Sequence, residues 1–184
     1  MELYFKTRKE WRQWLEKNHS KVDGVWLINY KKHTLKPCVA YTDAVEEALC
    51  FGWIDSTVKT FNKDHIAQRF TPRNPKSDFS QANKERLKWL LDNNMIHSSI
   101  KKDVQDIINK EFIFSNDIIN AIKNDKTAWT NYQKLSESYK RIRIAYIESV
   151  RHRPDEFKNR LSNFLDKTRD NKLIRGFGGI EKYY

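Results

Sequence analysis

Trp11, Trp14 and Leu15 recur at helical spacing behind Thr7 and Glu10, a Thr-x-x-Glu capping pattern, and predict a helix over 8–18. The stretch GVWLINYKK changes to the aromatic and β-branched composition of a strand over about 24–31. Its two faces, Val25/Leu27 and Trp26/Ile28/Tyr30, are both largely apolar, which predicts an interior position in a sheet. KKHTLKPCVAY reads as a loop, since Pro37 cannot donate to a ladder. Thr42 is the expected cap of a short helix over 43–51, with Asp43 near its positive end and Gly52 as the residue that turns the chain out of it. WIDSTVKTF and HIAQRFT then predict strands at 53–61 and 65–71 around Asn62-Lys63-Asp64. Ser80 opens a helix over 80–93 with Leu87, Leu90 and Leu91 on its apolar side.

Beyond Asn94 the pattern is almost wholly helical, with segments expected at 99–110, 116–124, 126–134, 138–152 and 155–168. Ser115 and Ser138 are the expected caps, and Pro154 marks an element boundary. Tyr139, Ile142, Tyr146 and Val150 form one predicted core stripe. The ending LIRGFGGIEKYY holds three of the five glycines and reads as a mobile or docked tail. The predicted fold class is therefore α+β: a small antiparallel sheet packed with helices, followed by a mostly helical C-terminal module. The expected organisation is an N-terminal module over 1–97, a helical module over 98–172 and a tail over 173–184.

Composition changes this picture in one respect. The net charge of +11 favours anionic partners, although Lys and Arg are spread along the chain and a generally basic surface accounts for them equally well. No run approaches the roughly 18 apolar residues of a membrane span, and MELYFKTRKEW has no apolar secretion signal, so the expected location is cytoplasmic. Two cysteines, Cys38 and Cys50, form neither a disulfide framework nor a zinc pattern.

The hairpin and its exit collect the polar residues. A three-residue loop at 62–64 pairs Thr57 with Arg69 and Asp55 with Thr71, making Asp55 and Arg69 diagonal neighbours able to form an ion pair. A two-residue loop would put them on opposite faces. RFTPRNPKSDFSQANKERL follows, with Arg69, Arg73, Lys76 and Arg86 beside Ser77, Ser80 and Asn83. A loop entering a helix N-terminus offers free N–H groups to an anion, and arginine adds bidentate donors. Equally, Ser80 can be a plain cap and the arginines can simply pin the loop.

In the order EWRQWLEKNH, GVWLINYKK, YTDAVEEALCFGWIDS and RFTPRNPKSDFSQANKERL, the N-terminal half resembles the YdeI/OmpD-associated family, also called bacteriocin-protection proteins. NDIINAIKNDKTAW and LSESYKRIRIAYIESV resemble that family's C-terminal OmdA-type region, and the resemblance spans most of 8–165. The chain departs at Phe79, where the family usually has tryptophan, and at Arg151-His152-Arg153-Pro154-Asp155-Glu156, where the basic run is altered. The resemblance implies a small cytoplasmic bacterial protein linked to protection against bacteriocins or cationic-peptide stress, and it implies no defined reaction.

Nothing in the chain spells out a reaction. Cys50 sits in the last turn of a predicted helix, where partial negative charge disfavours a thiolate. The histidines at 19, 33, 65, 97 and 152 have no metal-binding spacing, and GFGG lacks a P-loop lysine. The leading expectation is a non-catalytic stress-protection protein binding an anionic small molecule or acidic partner, with no catalytic residue, metal or cofactor. Trp53 would supply a packing surface, Asp55 would orient Arg69, and Arg69 and Arg73 would contact the anion, with Ser77, Ser80 and Asn83 at the pocket edge. One alternative is nucleic-acid binding through Lys140, Arg141, Arg143, Arg151 and Arg153, which requires them to line one open face. The other is a small-molecule hydrolase or transferase, which requires Asp55 and His65 in one deep pocket.

Overall fold

The computed structural model describes every residue except Lys76 and Phe177, so Lys76 of the predicted cation cluster lies outside the described residues. The chain divides into two compact units, Met1–Asp78 with Leu87–Asp106, and Phe79–Arg86 with Ile107–Tyr184. The class is α+β, as expected.

In the first unit, β1 (Glu2–Leu3), β2 (Val25–Tyr30), β3 (Trp53–Thr60) and β4 (His65–Pro72) form one sheet in the order β1-β2-β4-β3. The three predicted strands pair antiparallel and β2 is interior, while the short β1 adds a parallel edge that makes the sheet mixed. One face carries Val25, Leu27, Phe70 and Trp53 into the core, against Trp11 and Leu15 of α1 (Arg8–Asn18) and Ala44, Val45, Ala48 and Leu49 of α2 (Tyr41–Cys50). Aromatic rings join these elements: Phe5 lies 5.6 Å from Trp11, Trp11 lies 5.5 Å from Phe70, and Trp14 lies 6.0 Å from Trp53.

Local sequence explains the element ends. The Thr7 hydroxyl accepts the Glu10 N–H, while the Glu10 carboxylate reaches back to Lys6 N–H instead of the cap itself. Helix α2 starts at Tyr41 with Ala40 as its cap, so the expected Thr42 cap is not formed; the helix begins two residues earlier and Thr42 lies inside it. Gly52 takes a φ of +74°, a conformation a glycine adopts without a Cβ clash, and turns α2 into β3. Gly24 also has a positive φ, +136°, and a Cβ there would in addition lie 2.7 Å from the Phe70 carbonyl oxygen.

Helices α1 and α2 meet across a buried ionic network. Glu46 and Glu47 are each 1% exposed. Arg8 Nε donates to Glu47 at 2.6 Å, Arg8 Nη1 lies 2.9 Å from Asp43 and 2.7 Å from Glu46, and Arg12 Nη1 donates to Glu47 at 2.6 Å. Burial works against the Arg8 charge, but its bonds to Glu47 and Glu46 outweigh that and hold it above its ordinary range.

In the second unit, α5 (Asn116–Asn124), α6 (Lys126–Gln133), α7 (Glu137–Glu148) and α8 (Pro154–Arg169) enclose Ile118, Ile122, Tyr132, Tyr139, Ile144, Ile147 and Phe164. Helix α3 (Gln81–Asp92) contributes its first turn here and its remainder to the first unit, as does α4 (Lys101–Ile108) with its end and its start. Ser80 caps α3 through Asn83 N–H at 3.3 Å. The cap of α7 is Ser136, which accepts from Tyr139 N–H at 3.2 Å, in place of the expected Ser138. Ser115 stands at the start of α5 but spends its hydroxyl on Glu148 at 2.8 Å. The predicted stripe is corrected at Tyr146, which is 51% exposed, while Tyr139, Ile142 and Val150 are buried. The tail ends in a 3-10 turn, Ile180–Tyr183, with Ile180 and Tyr183 buried, and is docked within this unit.

Removing one partner of a buried ion pair leaves the other charge uncompensated, at a cost of about 3–5 kcal/mol. Glu47→Gln leaves Arg8 with Asp43 and Glu46 but takes the Glu47 carboxylate from the part-exposed Arg12, so it is expected to lower unfolding free energy by about 1–3 kcal/mol in urea titration, with Glu10→Gln as an exposed control losing less than about 1 kcal/mol.

Candidate functional site

The hairpin closes as expected near its tip and departs from expectation further down. Thr60 pairs with Ile66, Lys59 with Ala67 and Val58 with Gln68, the register that a loop at 62–64 requires. Between Val58 and Asp55 the register then shifts by one residue, so Asp55 lies opposite Phe70 and Ile54 opposite Thr71. The shift moves Asp55 to the core face, while Arg69 stays on the outer face opposite Trp26. The predicted Asp55–Arg69 pair is therefore not formed. Asp55 accepts from the Tyr41 hydroxyl at 2.7 Å and from Gln68 Nε2 at 3.5 Å. Asp55, opposite Phe70, and His65, opposite Tyr30, lie five β4 residues apart on different faces, so they do not share the pocket that the hydrolase alternative requires.

The remaining predicted site residues are occupied locally. Trp53 is 1% exposed and donates its indole N–H to the His19 carbonyl at 3.0 Å, so it is core and offers no ligand surface. The Arg69 guanidinium lies 5.7 Å from the Trp26 ring centroid. Arg73 donates to the carbonyls of Ser77, at 2.9 Å, and Asp78, so it braces its own loop, and burial lowers its pKa with a partial offset from Asp78. Ser80 is a cap, and Asn83 Oδ1 accepts from Arg86 Nη1 at 2.7 Å. Trp53, Asp55, Arg69, Arg73 and Ser77 belong to the first unit, and Ser80 and Asn83 to the second.

The basic residues of the helical half do not line an open face either. Lys140 is 9% exposed and pairs with Glu137 at 2.7 Å; Arg141 holds Glu85 at 2.6 Å; Arg151 binds Asp117 and Glu148; and Arg153 binds Glu156. Lys140 and Arg143 are buried while Arg151 and Arg153 are exposed, so the five residues together do not line one open face, as nucleic-acid binding through them requires.

Arg143 is the exception. It is 7% exposed, and among the described residues no carboxylate pairs with it. Both of its hydrogen bonds leave from Nη2, to the Ile174 carbonyl and the Tyr184 hydroxyl, and the ring centroids of Tyr139 and Tyr184 lie 5.2 and 5.3 Å from its guanidinium carbon. Its Nε–H is buried without a hydrogen-bond partner. Arg143 lines a cavity of about 200 Å³ with Tyr146, Asn159, Arg160 and Asn163. Arg160 stacks 3.7 Å from the Tyr146 ring centroid, pairs with Glu156 and donates to the Tyr146 carbonyl at 2.7 Å. Helical spacing carried a signal for part of this: Arg143 is four residues from both Tyr139 and Ile147, on the buried side of α7. Asn159, Arg160 and Asn163, at three- and four-residue intervals on α8, carried none beyond polarity.

Residues 3–103 match a family described as a domain of unknown function, DUF8412. The chain belongs to the DUF8412 family. Residues 111–171 of this DUF8412 protein match a second family, described as Bacteriocin-protection, YdeI or OmpD-Associated, and Arg143, Asn159, Arg160 and Asn163 all fall within that stretch. No curated protein and no solved structure matches the chain. The described residues of the DUF8412 protein contain no helix long and apolar enough to cross a membrane, and no group of three or more His, Cys, Asp or Glu side chains that could hold a metal ion.

Cys50 is fully buried, and burial first, with Glu47 second, pushes its thiol up to about 12. Burial therefore adds to the inertness inferred from the helix end. With the native DUF8412 protein at pH 8, a disulfide-exchange reagent is expected to titrate Cys38, which is partly exposed, and to reach Cys50 only after denaturant is added; prompt reaction of both thiols would contradict this assignment.

Proposed function

We propose that this chain is a non-catalytic, protection-type protein that binds a small anion or an anionic group, held by Arg143 and Arg160 in the helical unit. The observation that carries this reading is the buried Arg143 with an unpartnered Nε–H and no carboxylate. Guanidinium stays protonated inside proteins, so its charge is not relieved by deprotonation. Tyrosine rings and neutral acceptors offset only part of the cost of burying that charge. The cavity of about 200 Å³ lies beside it, with the Asn159 and Asn163 amides as further donors and Arg160 as a second cation. Glu156 pairs with Arg160 and offsets part of that second charge, which favours a compact anion over a highly charged one. This cavity lies below the roughly 300–1,000 Å³ of drug-sized sites and suits a phosphate, sulfate or short carboxylate. The match of 111–171 to the bacteriocin-protection family supports assigning the site to the protective role.

Thermal unfolding in increasing inorganic phosphate tests the reading. At about 100 times Kd, one-site binding stabilises the native state by about 2.7 kcal/mol. For a chain of this size that raises Tm by roughly 5–10 °C. Asn163→Asp supplies an internal counter-charge and is expected to abolish the phosphate dependence while raising Tm in its absence. A phosphate response identical in the wild type and Asn163→Asp would overturn the proposal.

A further inference from the structure

The outer face of the sheet carries a second set of side chains that the anion site does not use. Cross-strand register aligns Trp26 with Arg69, Ile28 with Ala67 and Tyr30 with His65 on that face, and Lys59 stands opposite Ala67 from β3. Phe61 joins the end of the row, stacked 5.5 Å from His65, which is itself 5.6 Å from Tyr30. Cations sit over three of these rings: Arg69 over Trp26 at 5.7 Å, Lys36 over Tyr30 at 4.4 Å and Lys59 over Phe61 at 4.9 Å. The four rings are partly exposed, and Lys36 and Lys59 are exposed. At the Tyr30 end the face opens into a concavity of about 540 Å³ bounded also by His33, Asn62 and Asp64.

Charge separates this face from the rest of the unit. Segments 25–38 and 56–72 carry Lys31, Lys32, Lys36, Lys59, Lys63 and Arg69 against the single acid Asp64, and Asp64 is paired with His33 at 3.0 Å. The acids of α2 are engaged with Arg8 and Arg12, and Glu2, on β1, is the acid aligned with Trp26.

We propose that this face is a stacking platform for single-stranded nucleic acid. Flat rings accept bases of any identity, and flanking cations track the phosphates. A four-stranded sheet with aromatic side chains in this arrangement takes two or three unstacked bases. Trp26 and Tyr30 are four residues apart, about 13 Å along a strand, which gives room for that number. A duplex keeps its bases stacked on each other and cannot use the rings. The site is separate from the Arg143 cavity and does not depend on it.

Fluorescence anisotropy of the full chain with a labelled twelve-nucleotide oligothymidylate at about 50 mM salt is the test, alongside an abasic strand of the same length and a duplex. The single strand is expected to bind at least tenfold more tightly than either control and to quench tryptophan emission. With three phosphates neutralised, the slope of log K against log salt should be roughly −2. Lys36→Ala combined with Lys59→Ala, both exposed and harmless to folding, is expected to weaken binding severalfold and flatten that slope, whereas Asn163→Asp should leave it unchanged. Equal affinity for the abasic strand or the duplex, no binding at 50 mM salt, or self-association through this face in sedimentation would each overturn the proposal.

Discussion

A buried guanidinium keeps its charge, and the protein must find it a counter-charge or leave it seeking one. The first unit meets this constraint with carboxylates: Arg8 and Arg12 hold α1 to α2 through Glu46, Glu47 and Asp43. In the second unit Arg141 has Glu85, while Arg86 and Arg143 rely on neutral acceptors. Arg86, 6% exposed, donates to Asn83, the Gly178 carbonyl and the Tyr183 hydroxyl, so each of its nitrogens has a partner. Arg143 lacks that completeness, and the incomplete arginine is the one beside a cavity. Both arginines also fasten the C-terminal segment, which ties the docking of the tail to the electrostatics of the same unit.

The hairpin shows how a single extra residue redistributes chemistry. Without the register shift, Asp55 and Arg69 would share a face and neutralise each other. With it, Asp55 turns inward to Tyr41 and Gln68, and Arg69 remains outside over Trp26 with no carboxylate opposite it. The outer face thereby stays basic and aromatic.

Much of this organisation was legible in the sequence. The 8–18 helix, the interior strand at 24–31, the glycine turn at 52 and the loop at 62–64 each follow from strong local signals, and the structure has them. The bulge was not legible, because Ser56, Thr57 and Val58 are ordinary strand formers with no glycine to mark an irregularity. The α7 stripe was read correctly at Tyr139, Ile142 and Val150 and wrongly at Tyr146, and it left out the buried Arg143 and Ile147. Tyr139, Ile142 and Tyr146 fit helical spacing, but so do Tyr139, Arg143 and Ile147, and apolar content alone argued against placing an arginine inside. Strand pairing also hid the platform, since Trp26, Ile28 and Tyr30 read as merely apolar until Arg69 and His65 are seen opposite them. The predicted site drew residues together by proximity in sequence, whereas Ser80 and Asn83 fall in a different unit from Arg69 and Arg73.

The claim that most needs direct observation is that Arg143 awaits an anion. Proton–nitrogen NMR of the arginine Nε–H groups, followed during titration with inorganic phosphate, reports on that atom itself. The account predicts a saturable shift of the Arg143 Nε–H signal while that of Arg8, already bonded to Glu47, stays in place. An unmoved Arg143 signal, with only weak linear drift across exposed arginines, would contradict it.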